Sequence, residues 1–149
     1  MAIDIRRVVT GLDENGKAKV SFDDNLGDVA VQKTGIKSAL IWTTDSYPLE
    51  VEGDEDNGKR TVDRPPPPHG TIFRVVEFEP GNPSDSHVTQ TIDYAVVLSG
   101  EIDMELEEGR EVHLKQGDVL VQRATIHNWR NRGTESCLIA FILIDTGQG

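Results

Sequence analysis

Ser86-His87-Val-Thr89-Gln-Thr91-Ile-Asp93 runs into Tyr94-Ala-Val-Val-Leu98 and ends at the turn Ser99-Gly100. If residues 86–93 are extended, period-2 alternation puts His87, Thr89, Thr91 and Asp93 on one face. A polar stripe facing a barrel interior is costly unless it binds water, a metal or a substrate. Working outward, Ile72–Phe78 is a β-rich run closed by Glu79-Pro-Gly-Asn-Pro83. Ile102-Asp-Met-Glu-Leu106 alternates apolar and acidic, as a strand with one buried face must. Val112-His-Leu114, Val119-Leu-Val121 and Leu138–Ile144 follow, separated by the turns Lys115-Gln-Gly-Asp118 and Asn131-Arg-Gly-Thr134. Short strands with a turn every 8 to 12 residues predict an all-β sandwich or closed barrel.

Towards the N-terminus, Ile5–Val9 and Ala18–Phe22 flank Asp13-Glu-Asn-Gly16, and Asn-Gly predicts a hairpin. Ser38–Trp42 reads as a further strand. The acidic segment 48–70 ends in Pro65-Pro-Pro-Pro68, which lacks four amide donors and reads as an extended surface connector. The expected organisation is a single domain, with residues 1–71 as an N-terminal extension on a core of 72–146.

The intervals around His87 carry a resemblance. Gly81, five residues, His87, one residue, Thr89, three residues, Asp93, six residues and Gly100 resemble the first cupin motif, G-x5-H-x-H-x3-E-x6-G. Thr89 stands at the second histidine and Asp93 at the glutamate. Gly117-Asp118, His127 and Asn131 resemble the second motif, with His127 one residue early and Arg123-Ala-Thr125 in place of Pro-x-Gly. The chain is similar to small single-domain, RmlC-like cupins. The resemblance implies a jelly-roll barrel of two antiparallel sheets, with His87, Asp93 and His127 converging in its cavity. It also implies a possible divalent metal (iron, manganese, nickel or zinc) on those three residues, because imidazole and carboxylate suit such ions. Thr89 supplies only a neutral hydroxyl.

Without a metal, His127, Asp93 and His87 form an acid–base set, since an imidazole ordinarily titrates near about 6.5. That chemistry suits dehydration, decarboxylation or isomerisation of a small oxygenated substrate. A metal-dependent oxygenase and a non-catalytic ligand-binding module are the alternatives. Arg123, Gln122, Thr89, Tyr94 and Trp129 are candidate substrate contacts, Arg123 as a fork for a carboxylate. His113 is expected on the outer face and His69 at the surface.

The 149 residues carry 26 acids against 15 bases, a formal charge of −11. That balance argues against nucleic acid or anionic membrane as partner. No apolar run approaches the roughly 20 residues of a membrane-spanning helix. Met1-Ala-Ile-Asp-Ile-Arg-Arg lacks the apolar core of a signal peptide, so a cytoplasmic location is expected. The lone Cys137 excludes an intrachain disulfide and reads as a buried hydrophobe. Strands lying outside the core motifs leave open sheet edges, and a homodimer is expected.

Overall fold

The computed structural model describes residues 3–26, 30–63 and 65–147, the side chains of 30–33 excepted. Its strands, in chain order, are β1 (Ile5–Leu12), β2 (Ala18–Leu26), β3 (Ala30–Lys33), β4 (Ile36–Thr44), β5 (Thr71–Phe78), β6 (Thr91–Ser99), β7 (Glu101–Glu105), β8 (Glu111–Lys115), β9 (Val119–Arg123), β10 (Asn128–Arg130) and β11 (Cys137–Asp145). All pairings are antiparallel. A six-stranded sheet runs β3-β4-β5-β11-β6-β9, and a three-stranded sheet β10-β7-β8 faces it. The β1–β2 hairpin is a separate two-stranded sheet, closed by the expected Asp13–Gly16 turn.

Alternation dictates the barrel core. Ile72, Val76, Phe78, Ala95, Val97, Ile139, Phe141 and Leu143 of the large sheet meet Ile102, Met104, Leu114 and Trp129 of the small one. Trp129 packs edge-on against Phe141, ring centroids 5.7 Å apart, and lies 6.0 Å from Phe78. Cys137 is fully buried at the start of β11, and burial pushes its thiol up to about 12. Gly100, at φ +77°, turns β6 into β7, and a Cβ there would stand 2.5 Å from the Ser136 carbonyl oxygen. The closing glycine of the first motif is thus fixed by backbone geometry.

A second, smaller core lies outside the barrel. Ile3, Ile5 and Leu26 cover Ala39, Ile41, Phe73 and Val75 on the outer face of the large sheet. Arg7 reaches through this layer to Asp24, Asp56 and the Ile41 carbonyl. The strand expected at Ser38–Trp42 is longer, Ile36–Thr44, and β3 was not expected from the sequence. Among the described residues of 48–70 there is no strand, only a short 3₁₀ turn at Asn57–Lys59 that Asp56 caps.

Candidate functional site

Two loops meet at one end of the barrel. The chain between β5 and β6 carries His87, and the chain between β9 and β10 carries His127. They join in an isolated antiparallel bridge, His87 N–H donating to the His127 carbonyl and the reverse, both 3.0 Å. The imidazole rings stand 4.5 Å apart, tilted by 58°. Polar ties hold the first loop to β10. The Asn128 Oδ1 accepts from the Asp85 N–H at 2.7 Å, Asn82 Nδ2 donates to the Trp129 carbonyl, and Asn131 N–H donates to Asn82 Oδ1. Asn131, the last residue of the second motif, also donates to the Phe78 and Glu135 carbonyls.

The tautomers follow from the partners. His87 Nδ1 lies 2.8 Å from the Asp85 carbonyl oxygen and His127 Nδ1 lies 2.8 Å from the Thr125 carbonyl oxygen. A carbonyl can only accept, so each neutral ring carries its proton on Nδ1 and keeps its lone pair on Nε2. Asp93 faces the same cavity and is buried. Thr91 Oγ1 donates to its Oδ1 at 2.6 Å and Gln122 Nε2 to its Oδ2 at 2.9 Å. The Gln122 Oε1 accepts from the N–H and hydroxyl of Thr125. Asp93, Gln122, Thr125 and His127 therefore form one hydrogen-bonded run that sets the turn presenting His127. Ala124 within that turn takes φ +51°, the left-handed region that favours glycine.

The cavity, open to solvent at its mouth, is lined by His87, Thr89, Asp93, His127 and Trp129 among the residues singled out in sequence. Its apolar wall is Val76, Phe78, Phe141 and Leu143. Gln122 holds Asp93 from behind without lining the space. Tyr94 and Arg123 do not reach it. Asp93 and Gln122 oppose each other on β6 and β9 and both point inward, so alternation sends their neighbours Tyr94 and Arg123 out to solvent. The expected carboxylate fork is thus not Arg123. Arg74, which the sequence reading missed, lines the cavity, and Asp85 and Asn128 line it too. The signal for Arg74 was available: it shares the parity of Ile72, Val76 and Phe78, all buried.

A metal centre on His87, Asp93 and His127 needs three donors turned to one point. Thr89 occupies the place of a second imidazole, and both Asp93 oxygens already accept hydrogen bonds from Thr91 and Gln122. Among the described residues, no three of His, Cys, Asp and Glu are grouped so that they could hold an ion. The donor set as arranged does not fit a metal of the family kind. His113 lies on the outer face of β8 against Asp103 and Glu101, and His69 is exposed. No helix among the described residues is long and apolar enough to cross a membrane.

A two-sheet antiparallel barrel with a polar cavity between loops at one end defines the class of small-molecule β-barrel proteins. The family profile of the cupin domain matches residues 74–144. The chain is 35% identical over 150 residues to a cupin-domain-containing oxidoreductase of Neurospora crassa, covering 95% of this chain and 75% of that one. It is 42% identical over 98 residues to a phomopsin biosynthesis cluster protein of Diaporthe leptostromiformis, covering 62% of this chain and about half, 52%, of the relative. Among solved structures, an RmlC-like cupin from Shewanella frigidimarina superposes with a TM-score of 0.54 at 11% identity, over 81% of this chain and 86% of that one. The chain belongs to the cupin family.

Proposed function

We propose that this cupin is an enzyme that moves protons on a small oxygenated substrate, in a dehydration, decarboxylation or isomerisation. The observation that carries the reading is the pair of imidazoles 4.5 Å apart, each bonded to a carbonyl oxygen through Nδ1, in the cavity that Asp93 also lines. His127 Nε2 takes a proton from the substrate and returns it at the neighbouring atom. Asp93 offsets the positive charge the imidazole acquires, and His87 Nε2 serves as the second proton acceptor. Arg74 takes the substrate's anionic end, since a guanidinium matches a carboxylate by two parallel hydrogen bonds. Trp129 and the Phe78–Phe141 wall hold the carbon skeleton. A relative whose printed name places it in a biosynthesis cluster supports a substrate among small biosynthetic intermediates, and the cytoplasm is the place of action we propose.

The test is proton exchange. Small hydroxy- and keto-carboxylates are screened by thermal shift, and binders are incubated in D₂O with the full chain. NMR should show deuterium entering at the carbon beside the carboxyl or carbonyl group. His127→Ala and Asp93→Asn should each slow that exchange on the order of a hundredfold or more. Exchange unaffected by both substitutions would defeat the reading. A second reading, an oxidoreductase, is favoured by the name of the Neurospora crassa relative. Oxygen uptake together with stoichiometric metal in the purified protein would select it.

A further inference from the structure

Both imidazoles of the site begin a run of hydrogen bonds, and the two runs have the same construction. His127 Nδ1–H donates to the Thr125 carbonyl, Thr125 N–H to Gln122 Oε1, and Gln122 Nε2 to Asp93 Oδ2. His87 Nδ1–H donates to the Asp85 carbonyl at 2.8 Å, Asp85 N–H to Asn128 Oδ1 at 2.7 Å, and Asn128 Nδ2 to Glu105 Oε1 at 2.7 Å. Each runs from imidazole to the backbone two residues before it, then to a side-chain amide, then to a carboxylate. Neither amide can be turned round. A backbone N–H only donates and an ionised carboxylate only accepts, so the amide oxygen faces the first and the nitrogen the second. Every donor therefore points from the ring towards the carboxylate. The Asp85 carboxylate does not take this part, since its Oδ2 lies 4.0 Å from His87 Nδ1, too far for a hydrogen bond.

The first run closes on Asp93, in the cavity. The second leaves it. Asn128, 6% exposed, lines the cavity from β10, and Glu105 is its register partner on β7, which does not. Glu105 divides its oxygens: Oε1 takes the amide, while Oε2 lies 3.4 Å from Arg132 and 3.6 Å from Arg130. The bond from Asn128, and then the two arginines, hold its carboxyl below the ordinary range. We infer that Glu105 is the positioning residue of His87, acting through Asn128 and the Asp85 backbone as Asp93 acts on His127 through Gln122 and Thr125. That His87 is a base rests on the proposed proton transfer; its positioning does not. A negative charge at the far end of aligned dipoles favours the Nδ1–H form of the ring. It also favours the positive charge the ring takes on with a proton at Nε2. The site thus holds two imidazoles with separate supports, and one support ends among the charges of the small sheet.

Long-range proton–nitrogen NMR of the full chain, with isotope-labelled histidine, reads each tautomer with no substrate present. Once the rings are neutral, protonated and bare ring nitrogens resonate far apart, and His69→Gln and His113→Gln clear the other two histidines from the spectrum. Native His87 and His127 should both carry the proton on Nδ1. Glu105→Leu should move His87 towards the Nε2–H form and leave His127 as it is. Asn128→Asp combined with Glu105→Gln rebuilds the run with its carboxylate one step nearer the ring, so the Nδ1–H form should return. Arg132→Gln cuts the neighbouring ion pairs but not the run, and should move neither ring. On any substrate that exchanges, Glu105→Leu should lower kcat about tenfold with KM little changed. An unmoved His87 in Glu105→Leu overturns the inference. So does a shift of both rings together, or an equal shift in Arg132→Gln. Absence of proton exchange in the native chain would instead sink the proton-transfer reading and leave these spectra standing.

Discussion

Each imidazole at the site is fixed by a carbonyl two residues before it, Asp85 for His87 and Thr125 for His127. That i to i−2 contact makes tautomer a consequence of local backbone, leaving the lone pair of each neutral ring on Nε2. Thr89 is the residue that sets what those lone pairs can do. It lines the same cavity, and a hydroxyl there leaves two imidazoles where a divalent ion needs a third good donor. Thr89→His should therefore bind a divalent ion more tightly than the native chain does. With a Kd near 1 µM, zinc at 100 µM should stabilise the variant by about 2.7 kcal/mol, a rise in Tm of about 5 to 10 °C, and leave the native protein unmoved. Equal zinc responses in the two proteins would count against the donor argument. His87, Asp93 and His127 were legible because their intervals resemble those of the two cupin motifs. Tyr94 and Arg123 were misplaced by treating proximity in sequence as proximity in space. Once Asp93 and Gln122 are inward, period 2 sends both outward, and the same rule exposes Arg74 as a cation on an inward row.

At the scale of elements, charge joins what apolar burial leaves apart. The hairpin pairs only with itself, and Arg7, 5% exposed, is what fastens it to the acidic segment through Asp56. Hydrogen bonds from Arg7 hold the Asp56 carboxyl below its ordinary range, and those Arg7 donates to Asp56 and then Asp24 hold the guanidinium above its own. Arg7→Met leaves Asp56 nearly buried without its partner. Because Asp24 is well exposed, the loss should be about 2 kcal/mol, read as a urea midpoint lower by about 1 M. Sequence could flag Arg6-Arg7 as a basic pair but not its partners, which lie 17 and 49 residues away. The small sheet carries a pH-dependent contact of its own. Hydrogen bonds to Asp103 and then Glu101 raise the His113 pKa, and the bond to His113, ahead of that to Arg132, lowers that of Asp103. A raised histidine contributes below its unfolded value, about 6.5, and loses that contribution as pH rises through the folded one. A depressed carboxylate contributes above its unfolded value, about 4, and loses that as pH falls through the folded one. The pair is thus strongest between about pH 4 and 6.5. His113→Gln should flatten the fall of Tm between pH 6 and 8 in calorimetry, modestly, because the site is exposed. An unchanged slope would remove His113 from the account.

For the whole molecule, the second half of the chain was more fully readable than the first, for a physical reason. Strands β6, β7 and β11 place their most buried residues at alternate positions. The strands of the extension answer to two layers at once: β4 gives Ile36 to the barrel and Ala39 and Ile41 to the outer core, with a register shift between Leu40 and Trp42 that blurs its period. This two-layer construction predicts how the molecule opens. β5 and β11 are paired on both sides, and Ile72, Cys137 and Ile139 are completely excluded from water. Their amides can exchange only when the sheet itself comes apart. β1 and β2 are paired only with each other, half their side chains are exposed, and a few apolar contacts with the Arg7 clamp hold them down. The hairpin can lift without breaking a strand-pairing hydrogen bond of the barrel, losing only the bond from Arg7 to the Ile41 carbonyl. Hydrogen exchange followed by mass spectrometry should therefore find β5 and β11 protected up to the global stability, and β1–β2 less protected by about a hundredfold or more, with Arg7→Met widening that gap. If the hairpin exchanged as slowly as β11, the two layers would unfold as one, and the outer core would have to be counted as part of the barrel.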